Sequence, residues 1–552
     1  MAAQPRPVPA DFHVFDTTLR DGSQQEGLSL SVADKLAITA LLDELGVGFI
    51  EGGWPGANPG DTAYFAAMAD GAVRLQNSQL VSFGFTRRVG MRAADDPLTA
   101  ALRDSRAPVA CIVAKSHDRH VEQALRTTLD ENLAMIADTV SHLRAEGQRV
   151  FVDCEHFFDG YRENRAYAHE VVRTAAEAGA EVVVLCDTNG GMLPPWVGEI
   201  VADTAGVGAR LGIHAHNDTG CAVANTLAAV DAGATHVQGT VNGYGERTGN
   251  AELISVVANL ELKYGWPLLP EGALREASRL AHAISEVTNV PPSARQPYVG
   301  MSSFAHKAGL HASAIKVDPN LYQHIDPAVV GNDMRMLVSD MAGRANIQMK
   351  GSELGFDLSD RELAARITDL VKEREAVGYT YEAADASFEL LLRRELDQLP
   401  EFFAVHSWRM FTQGHPGGEG FPGGRAGDDS DTECTVKLTA RGVTQRVVGE
   451  GNGPVNALDQ ALQNALLTAY PVVQDFGLTD YRVRILDQGH GTDATVRVLI
   501  QTTDGRRLWT TVGVGQNVIE ASWEALSDAY LYGLLHAEAP DPVEDLDQLE
   551  RV

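Results

Sequence analysis

The sequence predicts an α/β fold, in which a (β/α)8 TIM barrel is followed by a helical linker subdomain and a small α+β domain with an internal repeat. Eight short apolar runs alternate with helical segments between Phe12 and about Lys263, which matches the unit count and length of a closed barrel. The last 120 residues or so contain two copies of strand, strand, strand, helix. We divide the chain into a barrel at 10–285, a linker subdomain at 286–412, a flexible loop at 413–431 and the α+β domain at 432–540.

The strand candidates of the barrel are continuously apolar, which is typical of parallel strands covered on both faces. They are His13–Phe15, Gly48–Glu51, Leu80–Phe85, Val109–Val113, Val150–Cys154, Val182–Cys186, Leu211–His214 and Val237–Val241. An open doubly wound sheet is the competing prediction. It is disfavoured because no Gly-x-Gly-x-x-Gly follows the first strand and because polar residues follow many strands.

The segments between the strands carry apolar residues at helical spacing, as in Ser31–Leu45 and Tyr161–Ala178. Several of them end in a glycine just before the next strand, at Gly46, Gly179 and Gly233. These glycines predict helices that stop in a left-handed cap.

Polar residues at the strand ends indicate a metal site, because a barrel carries its chemistry at the carboxyl ends of its strands. His214 and His216 are two apart and therefore share one strand face. An isolated pair of this kind is more often two hydrogen-bonded histidines. Closure of the barrel, however, brings strand 1 beside strand 8, so Asp21 and Asn250 can reach the pair. This mixed oxygen and nitrogen set predicts Mg²⁺, Mn²⁺ or Zn²⁺.

Further candidates surround these ligands. Arg20 either forms a salt bridge at the barrel rim or stabilises an oxyanion near the metal. Asp153 and Glu155 should both face inward on strand 5, and Glu155 is favoured for proton transfer. Thr188 is favoured as a hydrogen-bond donor to a substrate carboxylate rather than as a nucleophile.

The composition limits the possible partners. A net charge of −30 argues against nucleic acid or an anionic membrane as a general partner. An apolar share of 44% and a charged share of 22% are those of a soluble globular protein, and no apolar run approaches the roughly 20 residues that span a bilayer. The five cysteines show no paired spacing, which predicts free thiols in a reducing cytosol. We therefore expect a cytoplasmic protein.

The rest of the chain is less informative. Residues 301 to about 400 are predicted to be mainly helical, and the stretch Gln413–Asp431 is glycine-rich and charged, which is typical of a mobile loop. In the C-terminal domain, Asp504-Gly505 predicts a hairpin turn. This domain is either a pure dimerisation module or the location of an effector site between the two pseudo-repeats.

At this point the motifs resemble those of a known family, the 2-isopropylmalate, homocitrate and citramalate synthases. Three stretches carry the resemblance: Asp16–Gly22 (DTTLRDG), His214–Asp218 (HAHND) and Gly243–Asn250 (GYGERTGN). The similarity extends over nearly the whole chain, and the C-terminal part looks like the family's regulatory domain. Three further stretches are most like the citramalate synthase branch: Glu51–Gly56, Asp153–Gly160 and His311–Ile315.

The resemblance implies an enzyme that joins acetyl-CoA to a 2-oxo acid with the help of a divalent metal. The implied metal ligands are Asp21, His214, His216 and Asn250. Arg20 would stabilise the developing alkoxide and Thr188 would hold the substrate carboxylate. The implied acid/base set is Glu155, His311 and Tyr322. The branch further implies pyruvate as substrate, a role in isoleucine synthesis, feedback inhibition by isoleucine, and a homodimer in which the subdomain covers the partner's barrel.

The choice of 2-oxo acid depends on the pocket walls, for which Phe83, Phe85, Cys111 and Val113 are candidates. Some members of the branch carry an aromatic residue where this chain has Asp153. The alternatives are therefore a 2-isopropylmalate synthase or a homocitrate synthase. A lyase of the same barrel class is disfavoured because such lyases usually lack the C-terminal domain. A non-catalytic amino-acid sensor is disfavoured by the intact set of site residues.

Overall fold

A computed structural model describes residues 8–9, 11–307, 309–315, 317–337, 344–414, 430–486 and 494–537. The chain forms two compact units. The first comprises residues 1–304 and 324–334, and the second comprises residues 305–323 and 335–552. The flexible loop predicted at 413–431 lies outside the described residues except at its two ends, which belong to strands.

The first unit is a closed barrel of eight parallel strands in chain order, as predicted. The strands are β1 (His13–Asp16), β2 (Phe49–Gly53), β3 (Gln79–Phe85), β4 (Val109–Lys115), β5 (Arg149–Glu155), β6 (Val182–Asp187), β7 (Leu211–Ala215) and β8 (His236–Gly239). Strands β1 and β8 close the barrel, with His13 opposite His236 and Asp16 opposite Gly239. Every strand lies within two residues of its predicted bounds, because continuous apolar runs mark strands that are buried on both faces.

The helices of the first unit surround the barrel. They are α1 (Val32–Leu45), α2 (Pro59–Ala69), α3 (Pro97–Asp104), α4 (Leu129–Ala145), α5 (Phe157–Glu163), α6 (Arg165–Glu177), α7 (Pro194–Ala205), α8 (Ala222–Asp231), α9 (Leu253–Leu262) and α10 (Ala277–Thr288). Helix α1 begins with a capping box between Ser31 and Asp34 and ends at Gly46, where φ is +85°. The stretch 161–178, predicted as one helix, forms α5 and α6, because Asn164 leaves the helical conformation and its side chain caps α6.

The barrel interior is apolar at its amino-terminal end. Aromatic and aliphatic side chains fill this part of the lumen, among them Phe15, Phe49, Phe151 and Val184. His13 and His236 lie among these rings with their Nδ1 atoms 3.3 Å apart, whereas the charged side chains that line the cavity lie at the carboxyl ends of the strands. All five cysteines are free thiols, as predicted, and all but Cys221 are buried. Among the described residues, no helix has both the length and the apolar character needed to cross a membrane.

The second unit begins with short elements and helices, in line with the prediction of a mainly helical stretch. They are β9 (Ala305–His306), α11 (Gly309–Ile315), β10 (Arg335–Met336), α12 (Arg344–Glu353), α13 (Arg361–Ala376) and α14 (Asp385–Glu395). Strands β9 and β10 pair in parallel. The three larger helices α12, α13 and α14 contribute to an apolar core around Ile347, Ile367 and Phe388.

The remainder of the second unit consists of the two predicted repeats. The first is β11 (Phe403–Gly414), β12 (Ser430–Ala440), β13 (Val443–Gly451) and α15 (Pro454–Leu467); the second is β14 (Gly477–Ile485), β15 (Val496–Thr503), β16 (Leu508–Gly515) and α16 (Val518–His536). Each repeat forms an antiparallel three-stranded sheet. In each sheet a glycine lies where the helix of that repeat crosses. A Cβ at Gly449 would lie 2.7 Å from Ala457 O, and one at Gly513 would lie 2.9 Å from Ala525 N, so neither position has room for a side chain.

A buried hydrogen bond joins the two repeat helices, and its carboxyl group makes the stability of the domain depend on pH. The hydroxyl of Tyr530 on α16 donates to Asp459 Oδ1 on α15 at 2.8 Å. Burial raises the pKa of Asp459 to about 6, although the hydrogen bond from Tyr530 opposes this shift. A carboxyl whose pKa is raised on folding binds its proton more tightly in the folded state, so its contribution to stability falls as the pH rises from about 4 to about 6.

We predict that Asp459→Asn removes the fall in stability that Asp459 causes as the pH rises. Between pH 4.5 and pH 7, the free energy of unfolding of the repeat domain should decline less in the variant, by up to about 2 kcal/mol, which is the part of a shift of roughly two pKa units that falls in this pH range. Hydrogen exchange of α15 and α16 across this pH range measures the difference. Asp459→Ala is the control, because it removes the charge and also the acceptor for Tyr530. An identical pH dependence in wild type and Asp459→Asn would show that Asp459 titrates normally.

Candidate active site

A cavity of ≈ 260 Å³ opens at the carboxyl ends of the barrel strands. It collects side chains from the loops after β1 and β2, from β3, β4, β5, β6 and β7, and from the loop after β8. Predicted site residues lining it are Arg20, Asp21, Phe83, Asp153, Glu155, Thr188, His214 and His216. The barrel therefore brings together groups that are nearly 200 residues apart in the chain.

Three of the predicted metal ligands converge in this cavity. Asp21 Oδ2 lies 3.2 Å from His214 Nε2 and 3.6 Å from His216 Nε2, and one ligand atom from each residue lies within 4.8 Å of the others. The fourth, Asn250, pairs with His216 through a β-bridge. Its Nδ2 donates to Tyr244 O at 3.0 Å, whereas its Oδ1 is buried without a hydrogen-bond partner.

The loop after β8 can hold Asn250 in this position because Gly245 gives it room. Gly245 has φ +147°, and a Cβ there would overlap the side-chain amide of Asn250. The amide is therefore held by the Tyr244 carbonyl with its oxygen free. A carboxylate, two imidazoles and a free amide oxygen form a donor set that suits a divalent cation.

The electrostatics of the site favour a positive charge between Asp21 and His214. Burial alone would raise the pKa of Asp21, but the Arg20 charge and the hydrogen bond from His214 outweigh it and hold this pKa well below its usual range. Burial opposes a proton on His214, yet the hydrogen bond and charge of Asp21 raise its pKa. Burial and the neighbouring His214 lower the pKa of His216 to about 4. A metal ion would supply the positive charge that the proton on His214 supplies otherwise.

Arg20 forms ion pairs, as the first of its two predictions required, and its side chain also lines the cavity. Its Nε donates to Glu51 Oε2 at 2.6 Å, and its other nitrogens lie 3.3 Å from Asp21 Oδ2 and 4.0 Å from Asp153 Oδ2. The guanidinium carbon lies 4.0 Å from the centroid of the Phe83 ring. The stacked and paired guanidinium is fixed in orientation.

The predicted acid/base and carboxylate-binding residues are held by neighbours. The ammonium group of Lys115 at the end of β4 forms an ion pair with Glu155. The hydroxyl of Thr188 accepts a hydrogen bond from the backbone N–H of His156 at 2.8 Å. Because the oxygen of Thr188 is the acceptor there, its proton is free to be donated to a ligand.

The other two residues of the predicted acid/base set belong to the second unit. The His311 and Tyr322 rings stack with their centroids 4.1 Å apart, and His306 lies 6.0 Å from His311. They form a local aromatic pair within that unit.

One expected pocket wall does not reach the cavity. Cys111 is fully buried, because it lies on β4 beneath the cavity floor. Its Sγ lies within 4.8 Å of carboxyl oxygens of Glu51 and Asp153. Phe85 and Val113 do line the cavity, and Trp54 joins them with its ring 4.8 Å from that of Phe85.

Three polar residues that support the site were missed in the sequence. Glu51 is fully buried and pairs with Arg20, and Lys115 pairs with Glu155. The Oε1 of Gln238 on β8 accepts a hydrogen bond from His214 Nδ1 at 2.7 Å. Each is a charged or amide side chain within or at the end of an otherwise apolar strand. That pattern alone could have drawn attention to them.

Family models match three consecutive parts of the chain. Residues 11–280 match an HMGL-like model, residues 298–378 match a homocitrate synthase post-HMGL domain-like model, and residues 382–534 match a LeuA allosteric (dimerisation) domain model. The order of these three matches follows the order of barrel, linker helices and repeat domain.

Several relatives are similar to this chain over nearly its full length. An (R)-citramalate synthase from Streptomyces coelicolor is 66% identical over 95% of this chain and 97% of its own, and one from Aquifex aeolicus is 45% identical over 95% and 98%. A 2-isopropylmalate synthase from Lysinibacillus sphaericus is 29% identical over 94% and 96%. The chain therefore belongs to the 2-isopropylmalate, homocitrate and citramalate synthase family, and within it to the (R)-citramalate synthases.

Proposed function

We propose that this chain condenses acetyl-CoA with pyruvate and hydrolyses the resulting thioester to citramalate and CoA, as an acyltransferase of isoleucine synthesis. The observation that carries the proposal is the convergence of Arg20, Asp21, His214 and His216 in the barrel of a chain 66% identical to an (R)-citramalate synthase. A sensor with an inactive barrel would have no need to retain this set.

The residues that would hold a divalent metal are Asp21, His214, His216 and Asn250. When bound, Mg²⁺, Mn²⁺ or Zn²⁺ supplies Lewis acidity that makes the ketone of a 2-oxo acid more electrophilic. Arg20 lies 3.3 Å from Asp21, so its guanidinium is placed to stabilise negative charge that develops on the ketone oxygen. The hydroxyl of Thr188 donates a hydrogen bond to the substrate carboxylate.

Proton removal from acetyl-CoA needs a positioned base, because the methyl group of a thioester is a weak carbon acid. Glu155 lines the cavity and is paired with Lys115, so a carboxylate and a proton donor lie side by side at the end of β5 and β4. His311 and Tyr322 complete the proposed acid/base set. Hydrolysis of the condensed thioester then makes the overall reaction effectively irreversible.

Bulky rings support pyruvate as the 2-oxo acid. Trp54, Phe83 and Phe85 pack edge-to-face or tilted, with centroids 4.8 to 6.0 Å apart. They form a continuous aromatic wall on one side of the cavity. Such a wall accommodates a methyl group more readily than an isopropyl group, although each methylene is worth only ~1–3 kcal/mol of discrimination.

We predict that pyruvate is the preferred substrate. The value of kcat/KM for pyruvate should exceed that for 2-oxoisovalerate by at least ~10-fold, which corresponds to the lower end of that discrimination. Release of the CoA thiol measures both rates, and EDTA should abolish release with either acid. A higher kcat/KM for 2-oxoisovalerate would instead indicate a 2-isopropylmalate synthase. Absence of metal-dependent CoA release with any 2-oxo acid would favour the sensor.

Removal of Arg20 should slow the reaction. Because Arg20→Ala alone would leave the buried Glu51 carboxylate without its cation, the test changes both residues. We predict that Arg20→Ala combined with Glu51→Gln lowers kcat by ~10²–10³-fold, the usual effect of removing a donor to a developing oxyanion. Glu51→Gln alone is the matched control and should cost less than ~10-fold, because the guanidinium remains. Steady-state kinetics decide the matter, and equal kcat values for the two variants would remove Arg20 from the mechanism.

The repeat domain is proposed to bind isoleucine as a feedback inhibitor and to support a homodimer. Its match to an allosteric dimerisation domain at residues 382–534 supports this assignment. Residues of β15 and β16, Leu499, Val512 and Val514, pack into the core formed by the linker helices. Deletion of the domain would therefore expose that core, so the full chain is the appropriate material.

We predict that isoleucine lowers the rate of CoA release by the full chain, whereas leucine at the same concentration has a smaller effect. Sedimentation velocity with and without isoleucine reports the oligomeric state. If isoleucine changes neither rate nor thermal stability, the effector assignment is wrong. If leucine inhibits more strongly, the effector belongs to the 2-isopropylmalate branch.

A further inference from the structure

We propose that Gln238 is a positioning residue that fixes the orientation and tautomer of His214 by linking it to Asp153 across the barrel lumen. The inference rests on the proposed metal site. Gln238 lies on β8 and is 1% exposed. Its Oε1 lies 2.7 Å from His214 Nδ1, and its Nε2 donates to Asp153 Oδ1 at 3.0 Å.

The strand register brings these three side chains together. In the pairing of β7 with β8, His214 lies opposite Gln238, so both side chains point to the same side of the sheet. Asp153 lies on β5, which is not a neighbour of β8 in the barrel. The glutamine side chain therefore spans the interior, a distance that a shorter asparagine could not cover.

The hydrogen-bonding capacity of each group sets the direction of the hydrogen bonds that run from His214 through Gln238 to Asp153. The Nε2 of Gln238 donates to Asp153 Oδ1, and an amide nitrogen only donates hydrogen bonds. The carbonyl oxygen of Gln238 must then face His214, and this requires a hydrogen on Nδ1.

The consequence appears at the opposite nitrogen of the ring. A neutral imidazole carries one N–H, so a hydrogen held on Nδ1 leaves the lone pair on Nε2. That Nε2 is the atom 3.2 Å from Asp21 Oδ2. Gln238 thus fixes Nε2 as the nitrogen that faces the proposed metal position and would give up its proton to a metal there, which is the usual task of a residue behind a metal-binding histidine.

His216 has no comparable support. Its Nδ1 is buried and accepts or donates no hydrogen bond among the described residues. Of the two histidines, only His214 is therefore prepared for binding by a second residue. This asymmetry makes the Gln238 contact a specific target for mutation.

The test measures Mn²⁺ binding by isothermal titration calorimetry to the full chain freed of metal. We expect Gln238→Glu to weaken binding by about 10–100-fold, because the new carboxylate can still accept from His214 but faces Asp153 without a donor. The double variant Asp153→Asn with Gln238→Glu should restore most of the affinity, since the asparagine amide now donates to the glutamate. Gln148→Met is the control, because it removes a glutamine that bonds only the Leu102 and Ala107 carbonyls.

Several outcomes would overturn the proposal. They are unchanged Mn²⁺ affinity in Gln238→Glu, a double variant no better than the single one, or an equal loss in Gln148→Met. If Gln238→Glu does not fold, Gln238→Met serves instead, and its affinity should fall without rescue by Asp153→Asn. Because Mn²⁺ is titrated without acetyl-CoA or a 2-oxo acid, the result does not depend on which substrate the enzyme uses.

Discussion

The active site depends on the ion pair between Arg20 and the fully buried Glu51. A carboxylate with no exposed surface needs a cation and hydrogen bonds to remain charged, and Glu51 receives them from Arg20 at 2.6 Å and from the Thr17 hydroxyl at 2.6 Å. The same guanidinium also lies near Asp21 and Asp153. One guanidinium is therefore shared among three carboxyl groups. This arrangement favours a further cation beside Asp21, at the proposed metal position.

The barrel can tolerate so much buried charge because its two ends differ. Toward the amino-terminal end, the lumen is filled by aromatic and aliphatic side chains that supply the apolar burial. At the carboxyl end, nearly every charged group has a partner on another strand, such as Lys115 with Glu155. The amino-terminal part of the lumen therefore supplies most of the apolar burial, and the carboxyl end carries the charged groups. The charged groups can be arranged for ligand binding without weakening the core.

The second unit combines the linker helices and the two repeats through polar contacts as well as a shared core. Arg394 on α14 pairs with Asp528 on α16 at 2.6 Å, and the Tyr379 hydroxyl donates to Glu524 on the same helix at 2.6 Å. Arg497 on β15 donates to the backbone carbonyl of Tyr379 at 3.1 Å. These contacts join the linker helices to the second repeat. His311 and Tyr322 belong to the same unit.

The sequence by itself determined the barrel, the repeat and the candidate metal ligands. Apolar runs, glycine caps and the His-x-His spacing are local patterns, and their physical causes act within a few residues of the chain. Three motifs then identified the family, because together they contain the four candidate metal ligands in a fixed order along the chain.

Only the tertiary structure decided which residues support the candidate ligands. The contacts of Arg20 with Glu51 and of Gln238 with Asp153 join different strands, and the second crosses the lumen between strands that are not neighbours. The tertiary structure also placed Cys111 in the core and Trp54 in the cavity wall. These outcomes follow from barrel closure and from the height of each residue on its strand. No local pattern encodes them, because they are set by residues that meet only after the chain has folded.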